Sequence, residues 1–256
     1  MRASTLSRSA LAPKLVGAGS LIGFLVVVEL LIRIGAINRF IVPPPSEIVG
    51  SFYRIVTQEH VFSRFVMTAW ECFITGAMIT IFGIAGGLLL HRFELLRRAT
   101  ETWVAALAAA PIVLAYPLFM VLFGRNALTI IMIGFVAALP PVILKTLEGI
   151  AGTRRVLINV GRSLNLTPMQ QFWKIQLPAA LPVIFTGVRL GLIFALINVV
   201  GVEFLINYGG LGQLINDLAE RYDLAGTYAA ICFVILVSVL FYMFLEKAER
   251  WLRPVD

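Results

Sequence analysis

The chain has 256 residues, of which 59% are hydrophobic and only 14% are charged, and its mean hydropathy is +0.92. A soluble domain carries about 25% charged residues, so this composition excludes an ordinary soluble protein and indicates a protein of the lipid bilayer. The formal net charge of +7 does not require nucleic acid as a partner, because basic loops beside anionic lipid are usual in membrane proteins.

Six apolar runs follow one another along the chain, each near or above the about 20 helical residues that cross a hydrocarbon core. The runs are continuously apolar, whereas the strands of a membrane barrel alternate between polar and apolar residues. We therefore predict an all-α membrane protein with a single transmembrane domain, 1–256. The predicted spans are 15–35, 65–90, 101–123, 127–147, 179–206 and 225–245.

The first apolar run follows a basic N-terminus and resembles a signal peptide. It is long, contains Glu29 and lacks a convincing small-residue cleavage site, so we predict a retained span. With a cytoplasmic N-terminus, fourteen Lys and Arg residues lie inside and six lie outside, while Arg189 stays unassigned within a span. The positive-inside rule then predicts that both termini are cytoplasmic.

Two short segments shape the outer side of the predicted bundle. VPPPSEI at 42–48 ends the first span, and apolar residues at helical spacing after it predict an amphipathic outer helix. The turn at 124–126 is so short that the third and fourth spans must be antiparallel neighbours. The GGLGQLI segment at 209–215 predicts a backbone turn near the outer surface, since glycine permits unusual dihedral angles.

The segment 148–178 between the fourth and fifth spans is far longer than a simple helix connection. A helix is predicted over 154–164, ending at Asn165, a residue type that tolerates the left-handed conformation. Thr167 then starts a second helix, with a proline at its first position and a capping box with Gln170.

We expect Leu177-Pro178 to end this second helix and begin the fifth span. The whole segment therefore predicts a helix–turn–helix elbow on the cytoplasmic face, which is suited to binding a partner. Large side chains within it, Phe172 and Trp173, are its candidate anchors.

The sequence contains no phosphate-binding loop, nucleophile elbow or paired-carboxylate acid/base site. We therefore expect no enzyme activity and no cofactor, and any nucleotide that powers transport must be bound by another polypeptide. The two histidines fall on opposite predicted sides of the membrane, so no metal site is expected.

The elbow segment resembles the EAA loop of binding-protein-dependent ABC transporter permeases, whose pattern is E-A-A, a glycine four residues later and then I-x-L-P. VELLIRIGAINRFIVPPPSEI, GRSLNLTPMQQFWKIQLPAALPVIFTGVRLGL and GGLGQLI look like the nitrate, sulfonate, taurine and bicarbonate branch. In this chain Asn159, Val160 and Gly161 replace Glu, Ala and Ala, and Asn165 replaces the glycine.

This resemblance implies a six-helix, type I importer-like subunit of the bacterial inner membrane. It implies pairing with a second permease chain, as a homodimer or heterodimer, two cytoplasmic ATP-binding subunits and an extracytoplasmic solute-binding protein. The cargo would be a small anionic or zwitterionic solute, without distinction among nitrate, sulfonate, taurine, bicarbonate or a vitamin precursor. The implied coupling residues are Asn159, Val160, Gly161, Arg162, Ser163, Leu164, Asn165, Thr167, Pro168, Gln171, Phe172, Trp173 and Pro178.

Polar residues in or beside the spans are candidates for the solute path, because burying a charge in a bilayer costs at least a few kcal/mol. An alternative for Glu29 is an ion pair with Arg33 one turn later, and the three uncharged candidates could instead form hydrogen bonds between helices. The path candidates are Glu29, Asn198, Glu203, Asn207 and Tyr208.

Two other functional classes stay open at this point. A secondary transporter or channel would show inverted halves and broken spans around a midplane site, but the chain has no evident internal repeat. A membrane-embedded enzyme would cluster catalytic groups at one depth, whereas the titratable residues here are scattered. Neither class gives the long cytoplasmic segment a function.

Overall fold

The computed structural model describes residues 3–252, and the regular structure in this range is entirely helical. The all-α prediction is thereby confirmed. Residues 1, 2 and 253–256, which belong to the predicted domain and carry two of the counted cytoplasmic charges, lie outside the described residues. The helices are α1 (Ala3–Arg33), α2 (Pro45–Thr57), α3 (Val61–Arg92), α4 (Glu94–Ala109), α5 (Tyr116–Phe123), α6 (Ala127–Ala151), α7 (Arg155–Ser163), α8 (Pro168–Gln171), α9 (Leu177–Ile206), α10 (Gly210–Glu220) and α11 (Leu224–Leu252).

Five helical stretches in the described part of the chain are long and apolar enough to cross a membrane. They are Leu15–Arg33, Val61–Arg92, Ala127–Ala151, Pro168–Ile206 and Leu224–Arg250. A sixth span arises only if Glu94–Ala109 and Ile112–Phe123 count as one broken span.

This break interrupts the helix predicted over 101–123, because the two halves meet at an angle of 88°. Ala110 is extended there, with ψ of 134°, and a short 3₁₀ turn, Ile112–Ala115, follows it. Pro111 is the physical reason, since a proline disfavours helical backbone at the preceding residue and has no N–H of its own.

The chain divides into two compact units, Met1–Val61 with Asp217–Phe233 and Phe62–Asn216 with Val234–Asp256. In the first unit, Arg54 on α2 forms an ion pair of 2.6 Å with Asp223, which also accepts a hydrogen bond from the Gly226 N–H in the first turn of α11. An ion pair of 2.8 Å joins Arg221 to Glu59. These contacts hold α2, the predicted outer amphipathic helix, within its unit.

The second unit is built around the close packing of α6 against α9. Gly187 and Gly191 on α9 face α6 so closely that a Cβ atom would lie 2.5 Å from side-chain atoms of Lys145 and Val142. Small residues at such contacts let two membrane helices approach without a hydrophobic driving force. Two packed cores continue along the helices from this contact. They are Ile79, Ala138, Val142 and Ala195, and Ile130, Ile133, Val199, Val202 and Ile206.

Candidate functional site

The predicted elbow begins with α7, and this helix ends with a Schellman motif. The N–H of Leu166 donates to the Gly161 carbonyl at 3.0 Å, and the N–H of Asn165 donates to the Arg162 carbonyl at 2.9 Å. Asn165 has φ of 52°, so the predicted left-handed conformation is confirmed. The motif satisfies the carbonyls that the helix end leaves open and turns the chain towards Thr167.

The second arm of the elbow starts with the predicted capping box. The Gln170 N–H donates to the Thr167 hydroxyl at 3.3 Å, and the Thr167 N–H donates to the Gln170 side-chain oxygen at 3.0 Å. Pro168 occupies the start of α8, where a missing N–H costs nothing. Both boundaries of the turn are therefore set by local chemistry.

Contacts between the two arms explain one departure from the family motif. The Gln171 side chain donates to the Ile158 carbonyl at 3.3 Å, and Gly161 is buried between the arms. A Cβ atom at Gly161 would lie 2.6 Å from the Ile175 side chain. Gly161 thus lets the arms approach more closely than an alanine would allow with Ile175 in its present position.

The predicted helix break at Leu177-Pro178 is not present. A π turn, Phe172–Gln176, leads directly into α9, so the helical stretch runs from Pro168 to Ile206. A proline clashes with the carbonyl four residues earlier in a regular α-helix, and the wider π turn before Pro178 accommodates its ring. The elbow's second arm is therefore one continuous helix with the following span.

Apolar side chains on the outside of the elbow form an exposed stripe, which we call the elbow surface. Its members on α7 and at the C-cap of this helix are four residues apart and therefore lie on one face, and those on the second arm have the same spacing. Each is between 49% and 71% exposed. The elbow surface consists of Val156, Val160, Leu164, Met169 and Trp173.

The remaining predicted coupling residues differ in exposure. Phe172 is half-buried and packs against the core of Ile150, Ala180 and Ile184, so it anchors the elbow from within. Gln171 is also half-buried. The exposed members are Asn159, Arg162, Ser163, Asn165, Thr167, Pro168 and Pro178.

The predicted path residues are divided between the two units. Glu29 lies in the first unit, where it accepts hydrogen bonds from Arg33 at 2.9 Å and from the Ser46 hydroxyl at 2.9 Å. The ion pair considered from the sequence is therefore present, and Glu29 joins the end of α1 to the start of α2. Asn198 donates to the Phe194 carbonyl of its own helix at 2.8 Å.

Asn207 and Tyr208 lie just beyond the end of α9, which ends at Ile206, the predicted end of the fifth span. Asn207 is the left-handed C-cap, with φ of 52°, and Arg125 donates to its backbone carbonyl. Tyr208 is half-buried against the core that contains Ile206. The helix ends here because Asn207 takes the left-handed conformation, which stops the α-helical hydrogen-bond ladder.

Glu203 is completely buried and accepts hydrogen bonds from two donors. The Thr68 hydroxyl on α3 donates to one carboxyl oxygen at 2.7 Å, and the Gly212 N–H at the start of α10 donates to the other at 2.8 Å. Thr68 also accepts from the Leu211 N–H at 2.9 Å. We call this arrangement the Glu203 cradle.

The glycines of GGLGQLI make the Glu203 cradle possible. A Cβ atom at Gly210 would overlap the Glu203 carboxyl, and one at Gly212 would lie 2.6 Å from the Phe204 backbone nitrogen. Gly209 and Gly210 have positive φ, 71° and 76°, and α10 begins at Gly210. The rest of the motif is helical, which corrects the prediction of a turn over 209–215.

Sequence reasoning missed Glu71, which lies on α3 and is 1% exposed. It stands beside Glu203, and its carboxyl oxygens accept no hydrogen bond from an N–H or hydroxyl of the described residues. The available signal was a carboxylate within an apolar run, the same signal that singled out Glu29 and Glu203.

Comparison with known proteins decides the family. The family described as "Binding-protein-dependent transport system inner membrane component" matches residues 79–254, more than two thirds of the chain. The chain belongs to this family. The resemblance carried by the elbow and GGLGQLI is thereby confirmed, and the family places the chain among multi-pass proteins of the bacterial inner membrane.

Relatives within the family come from the predicted branch. The chain is 27% identical to the aliphatic sulfonates transport permease protein SsuC of Bacillus subtilis (strain 168), over 85% of this chain and 79% of the relative. It is 24% identical to the taurine transport system permease protein TauC of Escherichia coli (strain K12), over 85% and 81%. It is 28% identical to the nitrate import permease protein NrtB of Leptolyngbya laminosa, over 75% and 70%.

Solved structures share the fold of the family. The inward-facing MetNI methionine ABC transporter aligns with a TM-score of 0.67 at 20% identity, over 76% of this chain and 96% of that chain. An amino acid ABC transporter aligns with a TM-score of 0.65 at 17% identity, over 78% and 97%. These likenesses show the permease fold of type I importers.

Proposed function

We propose that this chain is the permease subunit of an ATP-driven importer and forms the path for a small anionic or zwitterionic solute. The observation that carries this proposal is the family match over residues 79–254, together with relatives named for sulfonate, taurine and nitrate transport. Nitrate, sulfonates, taurine and bicarbonate are the candidate solutes.

The elbow is the proposed coupling site for two cytoplasmic ATP-binding subunits. The elbow surface supports this, because exposed apolar side chains in a row mark protein interaction sites. Its two arms are joined by the Gln171 hydrogen bond and the Gly161 contact. A displacement of α7 by a partner would therefore move the second arm, and α9 with it. ATP hydrolysis itself belongs to the partner subunits.

We further propose a second permease chain, identical or different, and an extracytoplasmic solute-binding protein as partners. Family membership supports both, since the family is described as binding-protein-dependent. The excess of Lys and Arg on one side supports cytoplasmic termini. Lipid is the surrounding medium, and nucleic acid is not proposed as a partner.

Asn198, Asn207 and Tyr208 are the proposed path residues, because Glu29 and Glu203 are already engaged in structural hydrogen bonds. Substitution of Asn198 by Ala tests this assignment. It removes only a bond to the helix's own Phe194 carbonyl, so a change in solute preference would reflect contact with the solute.

The decisive experiment is to purify the assembled complex in lipid with its solute-binding protein. Nitrate, an alkanesulfonate, taurine and bicarbonate are added one at a time, and ATP hydrolysis is measured. We expect one solute class to stimulate hydrolysis only when the binding protein is present. Solute uptake into vesicles that lack ATP and the ATP-binding subunits would contradict the proposal and favour a secondary transporter or channel.

A further inference from the structure

Two carboxyl groups lie close together in the interior of the second unit, because Thr68, which donates to Glu203, is one turn before Glu71 on the same face of α3. Glu71 on α3 is 1% exposed, and Glu203 on α9 is 0% exposed. Glu203 is supplied with hydrogen-bond donors by Thr68 and Gly212, whereas both Glu71 oxygens are buried without a donor among the described residues. The two carboxyls therefore differ in the protonation state that their surroundings stabilise.

Among the described residues, no Lys or Arg forms an ion pair with either carboxyl. Cys72 of α3 is the titratable side chain beside both carboxyls, and Tyr116 and Tyr208 pack against the core that Cys72 also contacts. Arg64 lies two turns from Glu71 on α3, where its backbone carbonyl accepts from the Thr68 hydroxyl at 3.3 Å. Two ionised carboxylates in contact at this depth would repel each other with little screening.

We propose that Glu71 and Glu203 form a buried proton-binding site that holds one exchangeable proton. Glu71 is the neutral carboxylic acid and donates its O–H to the ionised Glu203. The assignment follows from the donors, because a carboxylate is the form that the Thr68 hydroxyl and the Gly212 N–H stabilise. Glu71 has no such donors, and the neutral acid is the form of this side chain that can remain buried without them.

The bound proton keeps the start of α10 in place, and we call this effect the latch. While it is bound, Glu203 stays in place and holds the Gly212 N–H, and Thr68 holds the Leu211 N–H. When the proton leaves to bulk base, two like charges face each other, and Glu203 is driven out of the Glu203 cradle. The turn at Gly209-Gly210, which ends in this cradle, is then released.

The first test measures the proton directly by infrared spectroscopy on the full chain in lipid at neutral pH. We expect a carbonyl band of a protonated carboxyl that shifts in D₂O and is lost in Glu71→Gln. Glu29→Gln, which removes another intramembrane carboxyl but one paired with Arg33, should leave the band unchanged. A wild-type spectrum without the band overturns the proposal, as does a band that survives in both Glu71→Gln and Glu203→Gln.

Sodium is the competing ligand, because Glu71, Glu203 and the unpartnered Thr75 hydroxyl are oxygen donors of the kind that bind it. Spectra of the wild-type chain are therefore compared in sodium chloride and in choline chloride at the same pH. We expect identical bands. A band that disappears on addition of sodium shows that the pair binds a metal cation and overturns the proton assignment.

The second test measures the latch by hydrogen exchange of the peptide around Leu211 and Gly212. After correction for the intrinsic pH dependence, exchange in the wild type should rise by about tenfold between neutral and alkaline pH, as expected for loss of a charge-assisted hydrogen bond. Glu71→Gln keeps an N–H donor for Glu203 and cannot ionise, so its exchange should stay low throughout. An equal rise in both proteins refutes the latch, even where the infrared band is present.

Discussion

The guanidinium of Arg189 on α9 lies 2.6 Å from the carboxylate of Glu249 near the end of α11. The Thr186 hydroxyl donates to the same carboxylate at 3.1 Å, and the Arg189 Cζ atom lies 5.9 Å from the centre of the Tyr242 ring. This pairing explains how an arginine is tolerated inside an apolar span, where the sequence left it unassigned.

Replacing Arg189 by Met should destabilise the protein by about 3–5 kcal/mol, because it leaves the buried Glu249 carboxylate without its cation. Thermal unfolding in detergent measures the effect. The double variant with Glu249→Leu should recover most of the loss, since removing both partners leaves no buried charge. Arg98→Met, which breaks an exposed pair with Glu94, is the control and should change little. Equal losses in the single and double variants would show that packing, and not charge, is at issue.

Asn165→Val should reduce solute uptake and co-purification of ATP-binding subunits, while Asn165→Gly should be tolerated. A β-branched residue at φ of 52° is strained by about 1–3 kcal/mol, whereas glycine adopts this conformation freely. Strain of this size tilts the Thr167-capped arm without affecting membrane insertion. Both variants are compared at matched expression, and full activity of the Val variant would show that this turn does not limit docking.

Gly212→Ala should destabilise the chain by about 1–3 kcal/mol, the usual cost of overpacking. The added Cβ would lie 2.6 Å from the Phe204 backbone nitrogen and 2.7 Å from the Glu203 Cβ, and backbone atoms cannot move aside cheaply. Gly201→Ala is the matched control on α9, because its Cβ would meet only Val113 at 3.7 Å. Thermal unfolding of the two variants is compared, and an equally stable Gly212→Ala would mean that the Glu203 cradle can relax.

Val160→Asn should weaken capture of the ATP-binding subunits by about 1–2 kcal/mol without lowering thermal stability. Val160 is 49% exposed within the elbow surface, so the substitution removes a docking contact and little internal packing. Val49→Asn, 70% exposed on α2, serves as a control for the general effect of a polar substitution. Pull-down of the ATP-binding subunits at matched expression is the measurement. Equal capture by both variants would exclude Val160 from the interface.

The isolated chain should neither bind nor hydrolyse ATP, because its sequence contains no phosphate-binding loop. Calorimetry with the pure chain should give no binding isotherm, while the assembled complex hydrolyses ATP under the same conditions. Micromolar binding by the pure chain would contradict both this prediction and the division of labour proposed for the complex.

Features that depend on neighbouring residues could be predicted from the sequence. Continuous apolar runs require helices in a bilayer, because an unpaired backbone group in hydrocarbon costs several kcal/mol. The left-handed Asn165 and the Thr167–Gln170 capping box were equally predictable, since each involves groups within a few residues of one another. The family motif around them then indicated the kind of protein.

Features that depend on distant parts of the chain required the tertiary structure. Glu71 and Glu203 meet, and Arg189 meets Glu249, only because the packing of separate helices brings them together. Hydropathy also predicts one helix over 101–123, although the chain bends by 88° at Pro111. Hydropathy measures how apolar a segment is, whereas the direction of a helix after a proline and the partner of a buried charge are decided by packing.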